Sequence, residues 1–201
     1  MKKEYSETEI KIKTAAKSLF LEKGYSATTT RDISKVSDIN LALLNYYFTS
    51  KKKLFEIIML ETFYDFISKM VEVYNDEKSS LEEKLELTSS KYIDMIIAEP
   101  HLPTFVVNEL KNNPSSILNI LKGQIMESKL VDQYNDGVKK GIYKELDPIH
   151  FVTNILSLIV FPFISSPIII KMKKFSRKEF NEMMNERKKL IPEWIIKMIK
   201  K

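Results

Sequence analysis

An all-α protein is expected from three features of this 201-residue chain. Gly is scarce at 4 and Pro modest at 7, while Lys, Glu, Leu, Ile and Met abound, a mix that suits helices. Apolar residues recur at helical period along most of the chain. The segments so marked open at Ser, Asp or Asn and stop at Gly or Pro. Short β-branched runs such as Ile168 to Ile170 read as loop, so no strand is expected.

Ser6 and Glu9 form a capping box that opens the first helix, whose apolar face runs Ile10, Ile12, Ala15, Ala16, Leu19, Phe20. Gly24 should end it in a left-handed cap. Two short helices come next, about one turn over Asp32 to Val36 and a second over Leu41 to Tyr47. A turn at Ser37-Asp38 joins them and Asn40 is the second N-cap. Ile33, Val36, Ile39, Leu44 and Phe48 are the apolar residues that pack the pair. Ser50 caps a long helix from about Lys51 to Asn75, which is shared by the head and the larger carboxy-terminal part of the chain. Ser80 and Glu83 open a helix to about Ala98. Pro100 and Pro103 flank a break before Thr104 to Lys111. Asn113-Pro114 starts a helix expected to continue to about Lys140, with Gly141 as its stop. Asp147-Pro148 precedes an almost wholly apolar helix, His150 to about Phe163. Ser176 and Glu179 open the last one, which Pro192 breaks or restarts. The count is nine or ten helices.

Composition narrows the function classes. With no cysteine, a disulfide framework or a thiolate metal site is impossible. Two histidines, no Gly-rich phosphate loop and no metal-spaced cluster give catalysis little support, and no metal or cofactor is expected. The first residues lack an apolar h-region, and the stretch Ile155 to Ile170 is too short and interrupted for a membrane span, so a cytoplasmic protein is expected. The net charge of +5 is unevenly placed. Residues 1–53 carry 11 Lys plus Arg against 6 Asp plus Glu, whereas residues 54–201 carry 21 of each. All the excess positive charge lies with the short helix pair, as attraction to a polyanion requires.

Around that pair lie Thr28, Thr29, Thr30, Arg31, Asn45, Tyr46, Tyr47, Lys51, Lys52 and Lys53. Hydroxyls, amides, a guanidinium and ammonium groups are the donors that hold phosphate oxygens. Helix starts at Thr29, Asn40 and Ser50 would add backbone amides. Tyr46 and Tyr47 are adjacent near the end of a short helix, so both cannot be buried. Helix pairs of this form are DNA-reading units with the second helix in the major groove.

Residues 10 to 54 resemble the DNA-binding head of the TetR family of bacterial transcriptional regulators. The likeness is carried by Ala15-Ala16, Leu19-Phe20, Gly24-Tyr25, Thr28 to Ile33, Leu44 to Phe48, Ser50-Lys51 and Leu54. Asp38 stands where the turn usually has glycine, and Ser34 and Ser37 replace the usual alanines. The resemblance implies a helix-turn-helix DNA-binding domain over 1–53, with a ligand-binding and dimerisation domain over 54–201. It implies a homodimer on a double-stranded, palindromic operator. By position, Thr29, Thr30, Tyr46, Tyr47 and Lys51 would hold phosphates. Arg31, Asn40, Leu41, Ala42, Leu43 and Asn45 would face bases or the groove wall. Leu41-Ala42-Leu43 is an apolar face suited to thymine methyls, so an A·T-rich site is expected.

The family resemblance also implies a hydrophobic small-molecule inducer among the middle helices. Candidate contacts are Phe63, Phe66, Met70, Tyr92, Met95, Ile96, His101, Phe105, Asn108, Glu109, Met126 and Tyr134, which mix soft apolar and a few polar groups. The apolar helix at 148–164 and the last helix at 176–191 are the expected twofold contact. The rival reading is an all-helical ligand carrier or protein-interaction module that does not bind DNA.

Overall fold

The structure is a computed structural model that describes residues 5–112, 114–115, 118 and 121–201. Its described residues form ten α-helices and one π-helical turn, with no strand among them. In chain order the helices are α1 (Glu7–Lys23), α2 (Thr30–Ser37), α3 (Leu41–Tyr47), α4 (Lys51–Asn75), α5 (Leu81–Ala98) and α6 (Leu102–Asn112). The π turn Leu121–Met126 comes next, then α7 (Lys129–Lys139), α8 (Pro148–Ile164), α9 (Ser166–Lys173) and α10 (Arg177–Ile199). The chain divides into two compact units, 1–64 and 65–201, and the division falls inside α4.

Local chemistry sets most helix starts. Ser6–Glu9, Thr29–Asp32, Ser80–Glu83 and Ser176–Glu179 are reciprocal capping boxes, each satisfying two helix-end donors. Such caps contribute about 1 kcal/mol each. Gly24 closes α1 at φ 82, ψ 159, a positive-φ conformation but not the left-handed helical cap expected of it. Asp38 does adopt the left-handed conformation, at φ 55, ψ 33.

In the amino-terminal unit, Ile12, Ala16, Phe20, Ile33, Leu44, Phe48, Leu54 and Ile58 are buried. Ile10 and Val36 are not core residues, being 52% and 57% exposed. Ile10 falls off the apolar stripe of α1, and Val36 faces outward on a helix too short to wrap its partner. Ser37 takes a buried position and spends its hydroxyl on the Ile33 carbonyl at 2.7 Å. Lys13 of α1 bonds Glu61 of α4 at 2.6 Å, which explains a carboxylate on an otherwise apolar face.

In the carboxy-terminal unit, α10 packs broadly on α5 and α8. Phe151, Ile155, Ile159, Phe180, Met184, Ile191 and Ile195 are buried. Lys84 is buried on α5, and its ammonium donates to the Asp76 and Ser79 carbonyls at 2.6 and 2.7 Å. It fastens the α4–α5 turn. Tyr134 stacks on Phe151 with centroids 4.7 Å apart and donates to the Lys144 carbonyl at 3.0 Å.

Three further sequence expectations are corrected. Ile168 to Ile170 belong to helix α9, not to a loop: Pro167 presets the first-turn φ and Lys174 ends the helix left-handed at φ 55. The helix expected to reach about Lys140 is divided into the π turn and α7; part of its start, including Asn113, lies outside the described residues. Ser128 marks the division by donating to the Ile125 carbonyl at 2.6 Å, a local bond that competes with the helix ladder. Pro192 does not break α10, because its buried ring sits among Ile191 and Ile195, whose packing outweighs one lost backbone bond. No single helix among the described residues is long and apolar enough to cross a membrane.

Candidate nucleic-acid interface

The head is built so that α2 and α3 turn their apolar residues inward and leave a polar ridge outside. Ile33, Leu44 and Phe48 are buried, while Thr29, Arg31, Asn40, Ala42, Asn45 and Tyr46 are exposed. Thr30, Leu41, Leu43 and Tyr47 are half-buried. Tyr46 is 79% exposed and meets the Tyr47 ring edge-on at 5.3 Å, which props its hydroxyl away from the protein. The outward set matches the residue types that reach DNA.

Two expected donors have internal duties that limit what they can offer. The Thr29 hydroxyl accepts from the Asp32 amide at 3.1 Å and donates to the Asp32 carboxylate at 2.8 Å. The Asn40 side-chain oxygen accepts from the Leu43 amide at 2.8 Å, so its amide nitrogen is the part left to donate outward. Hydrogen bonds from the Thr29 backbone and hydroxyl hold the Asp32 carboxyl below the usual carboxylate range. Asp32 is therefore charged near neutral pH and tempers the positive field at this helix start, with Lys23 3.9 Å away.

Thr28 and Lys51 face inward. Thr28 is buried and its hydroxyl reaches the Gly24 and Leu19 carbonyls at 2.9 and 3.2 Å. Lys51 donates to the Tyr25 and Thr28 carbonyls at 2.9 and 2.7 Å. Both stand among the candidate phosphate donors in the sequence, which gives the side-chain type but not its direction.

Residues 12–58 match the family model described as bacterial regulatory proteins, tetR family. The chain is 30% identical over 166 residues to the Bacillus subtilis protein named "Probable HTH-type transcriptional regulator YttP", covering 81% of this chain and 80% of that one. The chain belongs to the TetR family. It is also 31% identical over 142 residues to IcaR of Staphylococcus aureus, the HTH-type negative transcriptional regulator of the icaADBC biofilm operon. That match covers 67% of this chain and 73% of IcaR. Among solved structures, the transcriptional regulator FadR of Bacillus subtilis, in complex with stearoyl-CoA, superposes with a TM-score of 0.62 at 22% identity. It covers 94% of this chain and 98% of that one, which shows a shared fold. This TetR-family member is a DNA-binding transcriptional regulator, with the helix-turn-helix formed by α2 and α3.

The residues expected to meet an inducer are dispersed. Phe63 belongs to the amino-terminal unit and the others to the carboxy-terminal one. Phe66 and Tyr92 pack edge-on with centroids 4.3 Å apart, and Met70 and Phe105 are buried. Met95, His101, Glu109 and Met126 are half-buried, and Asn108 is exposed. Tyr134 is held in the core by its two stacked neighbours, Tyr143 and Phe151, so its surfaces are already occupied. Ile96 borders a pocket of about 20 Å³ with Phe163, Arg177 and Asn181, room for about one water. The sequence reading missed Ser89, whose hydroxyl is buried with no hydrogen-bond partner among the described residues. No sequence signal singles it out, since Lys84 and Thr88 are buried on the same helix and both find carbonyl partners.

Proposed function

We propose that this regulator is a repressor that binds a palindromic operator as a homodimer and is released by a hydrophobic small molecule. The observation that carries the reading is the outward ridge of Arg31, Asn40, Ala42, Asn45 and Tyr46 above a buried Ile33–Leu44–Phe48 seam. Arg31 and Asn45 are the groups with donors for base edges, while Thr30, Tyr46 and Tyr47 suit phosphates. Leu41, Ala42 and Leu43 fit thymine methyls, which favours an A·T-rich site.

A single short recognition helix touches few bases, and a twofold pair doubles that number across two half-sites about 34 Å apart. Exposed Phe161 and Ile164 on α8, with Leu190 on α10, supply apolar area for the twofold contact. A bacterial transcription regulator of this kind acts in the cytoplasm, where its DNA is. The inducer would lie among Phe66, Met70 and Tyr92, with the unpartnered Ser89 hydroxyl as a polar anchor. FadR, a protein of the same fold, holds a long acyl thioester of coenzyme A. Ligand would favour one of two conformations through differential affinity and so change the spacing of the heads.

Selection of duplexes from a random pool by the full chain tests this directly. The expected product is an A·T-rich inverted repeat, with an affinity that falls steeply as salt rises. Asymmetric or G·C-rich products would sink the palindromic reading, and salt-independent binding would favour a protein-interaction module.

A further inference from the structure

Pro162 lies inside α8, in its last turn. A proline has no amide hydrogen, so the helical bond that this position would make to the Leu158 carbonyl cannot form. A donor reaches that carbonyl from another helix: Arg187 Nη2, on α10, donates to it at 2.8 Å. The Arg187 guanidinium carbon also lies 5.0 Å from the centroid of the Trp194 ring. Its Nε is buried with no hydrogen-bond partner among the described residues, and desolvation pulls the guanidinium below the usual arginine range. A half-buried guanidinium with an idle nitrogen is costly to keep, and the bond to Leu158 offsets that cost.

We infer that Arg187 supplies the donor that Pro162 removes from α8, and that in doing so it is a positioning residue for the twofold contact. The apolar residues offered to that contact sit beside both ends of the bond. Exposed Phe161 and Ile164 lie on either side of Pro162, and exposed Leu190 is one turn beyond Arg187 on α10. A helix whose ladder is interrupted by proline bends readily at that point, which would shift Phe161 and Ile164 relative to Leu190. The Arg187 bond ties α8 to α10 at this level. Lysine is a poor substitute, because only the planar guanidinium can lie over an aromatic ring while one arm reaches a carbonyl. The positioning role rests on the proposed homodimer, whereas the pairing of Pro162 with Arg187 does not.

A double-mutant cycle on the full chain, read by urea unfolding at one chain concentration, tests the pairing. Arg187→Met should reduce the folding equilibrium constant about tenfold. In a Pro162→Ala background the backbone amide returns to the Leu158 carbonyl, and the same substitution should cost less than about twofold. The loss of the Trp194 contact is common to both arms and cancels. Equal costs in the two backgrounds would overturn the inference. Self-association measured by sedimentation should follow the same pattern, weakened about tenfold by Arg187→Met and recovered in the double variant. A dimer that Arg187→Met leaves unmoved would refute the positioning role. Should Arg187→Met fail to fold, Arg187→Lys replaces it in the same cycle, and equal costs would again be decisive against the pairing. A wild-type chain that stays monomeric would instead remove the homodimer reading and the positioning role with it, while the unfolding cycle still decides the pairing of Pro162 with Arg187.

Discussion

At single residues, the informative side chains are those whose polar atoms are either fully used or left over. Thr28 spends a buried hydroxyl joining the end of α1 to the approach of α2. Thr28→Val keeps the shape but leaves the Leu19 and Gly24 carbonyls without that donor, and should cost roughly 1–3 kcal/mol in urea unfolding. An unchanged midpoint would show that the bond contributes nothing. Ser89 is the opposite case, a buried hydroxyl with no partner among the described residues. Ser89→Ala should therefore raise the melting temperature, by about 2–4 °C per kcal/mol gained in a chain of this length, while blunting the response to the proposed inducer. A lower melting temperature would mean that the hydroxyl stabilises the empty protein. Residue types such as Arg31, Asn45 and Tyr46 were legible as donors from sequence. The inward turn of Lys51 was not, because it depends on carbonyls 23 and 26 residues away.

Helix starts were the most legible elements, since a capping box is written in four adjacent residues and needs no distant partner. The same boxes make a pH prediction. In Asp32, Glu83 and Glu179 the carboxyl accepts first from its own cap backbone and then from the cap hydroxyl, and each is held below its ordinary value. A lowered folded-state value means the stabilisation is complete above the ordinary carboxylate range near 4 and fades as pH falls through the lowered values. Melting temperatures should thus change little between about pH 7 and 5 through these groups and drop below about pH 4. A flat profile down to about pH 3 would contradict it. Elements that depended on non-local packing were misread. The uninterrupted α10 exists because burial of Ile191, Pro192 and Ile195 outweighs one proline, whereas α9 is set by Pro167 in its first turn and by Lys174 at its left-handed end. The π turn interrupts a pattern whose apolar spacing reads as one long helix.

For the molecule as a whole, the proposed function requires two heads, so the exposed apolar residues of α8 and α10 should be decisive. Phe161 is 65% exposed, and Phe161→Asp leaves the monomer core intact while placing charge in the proposed twofold contact. Light scattering should then report monomer with unchanged helical circular dichroism, and operator affinity should fall with the loss of the second half-site. A variant that remains dimeric would move the contact elsewhere. The amino-acid order alone determined the helical architecture, the reading head and the family, because caps, periodicity and a compact donor set are local signals within about 45 residues. Folding decided which donors face outward, where the two units divide along α4, and that the Ser89 hydroxyl is left without a partner among the described residues. Those outcomes are set by packing between segments far apart in the chain, where direction and burial, not residue type, determine what a side chain can reach.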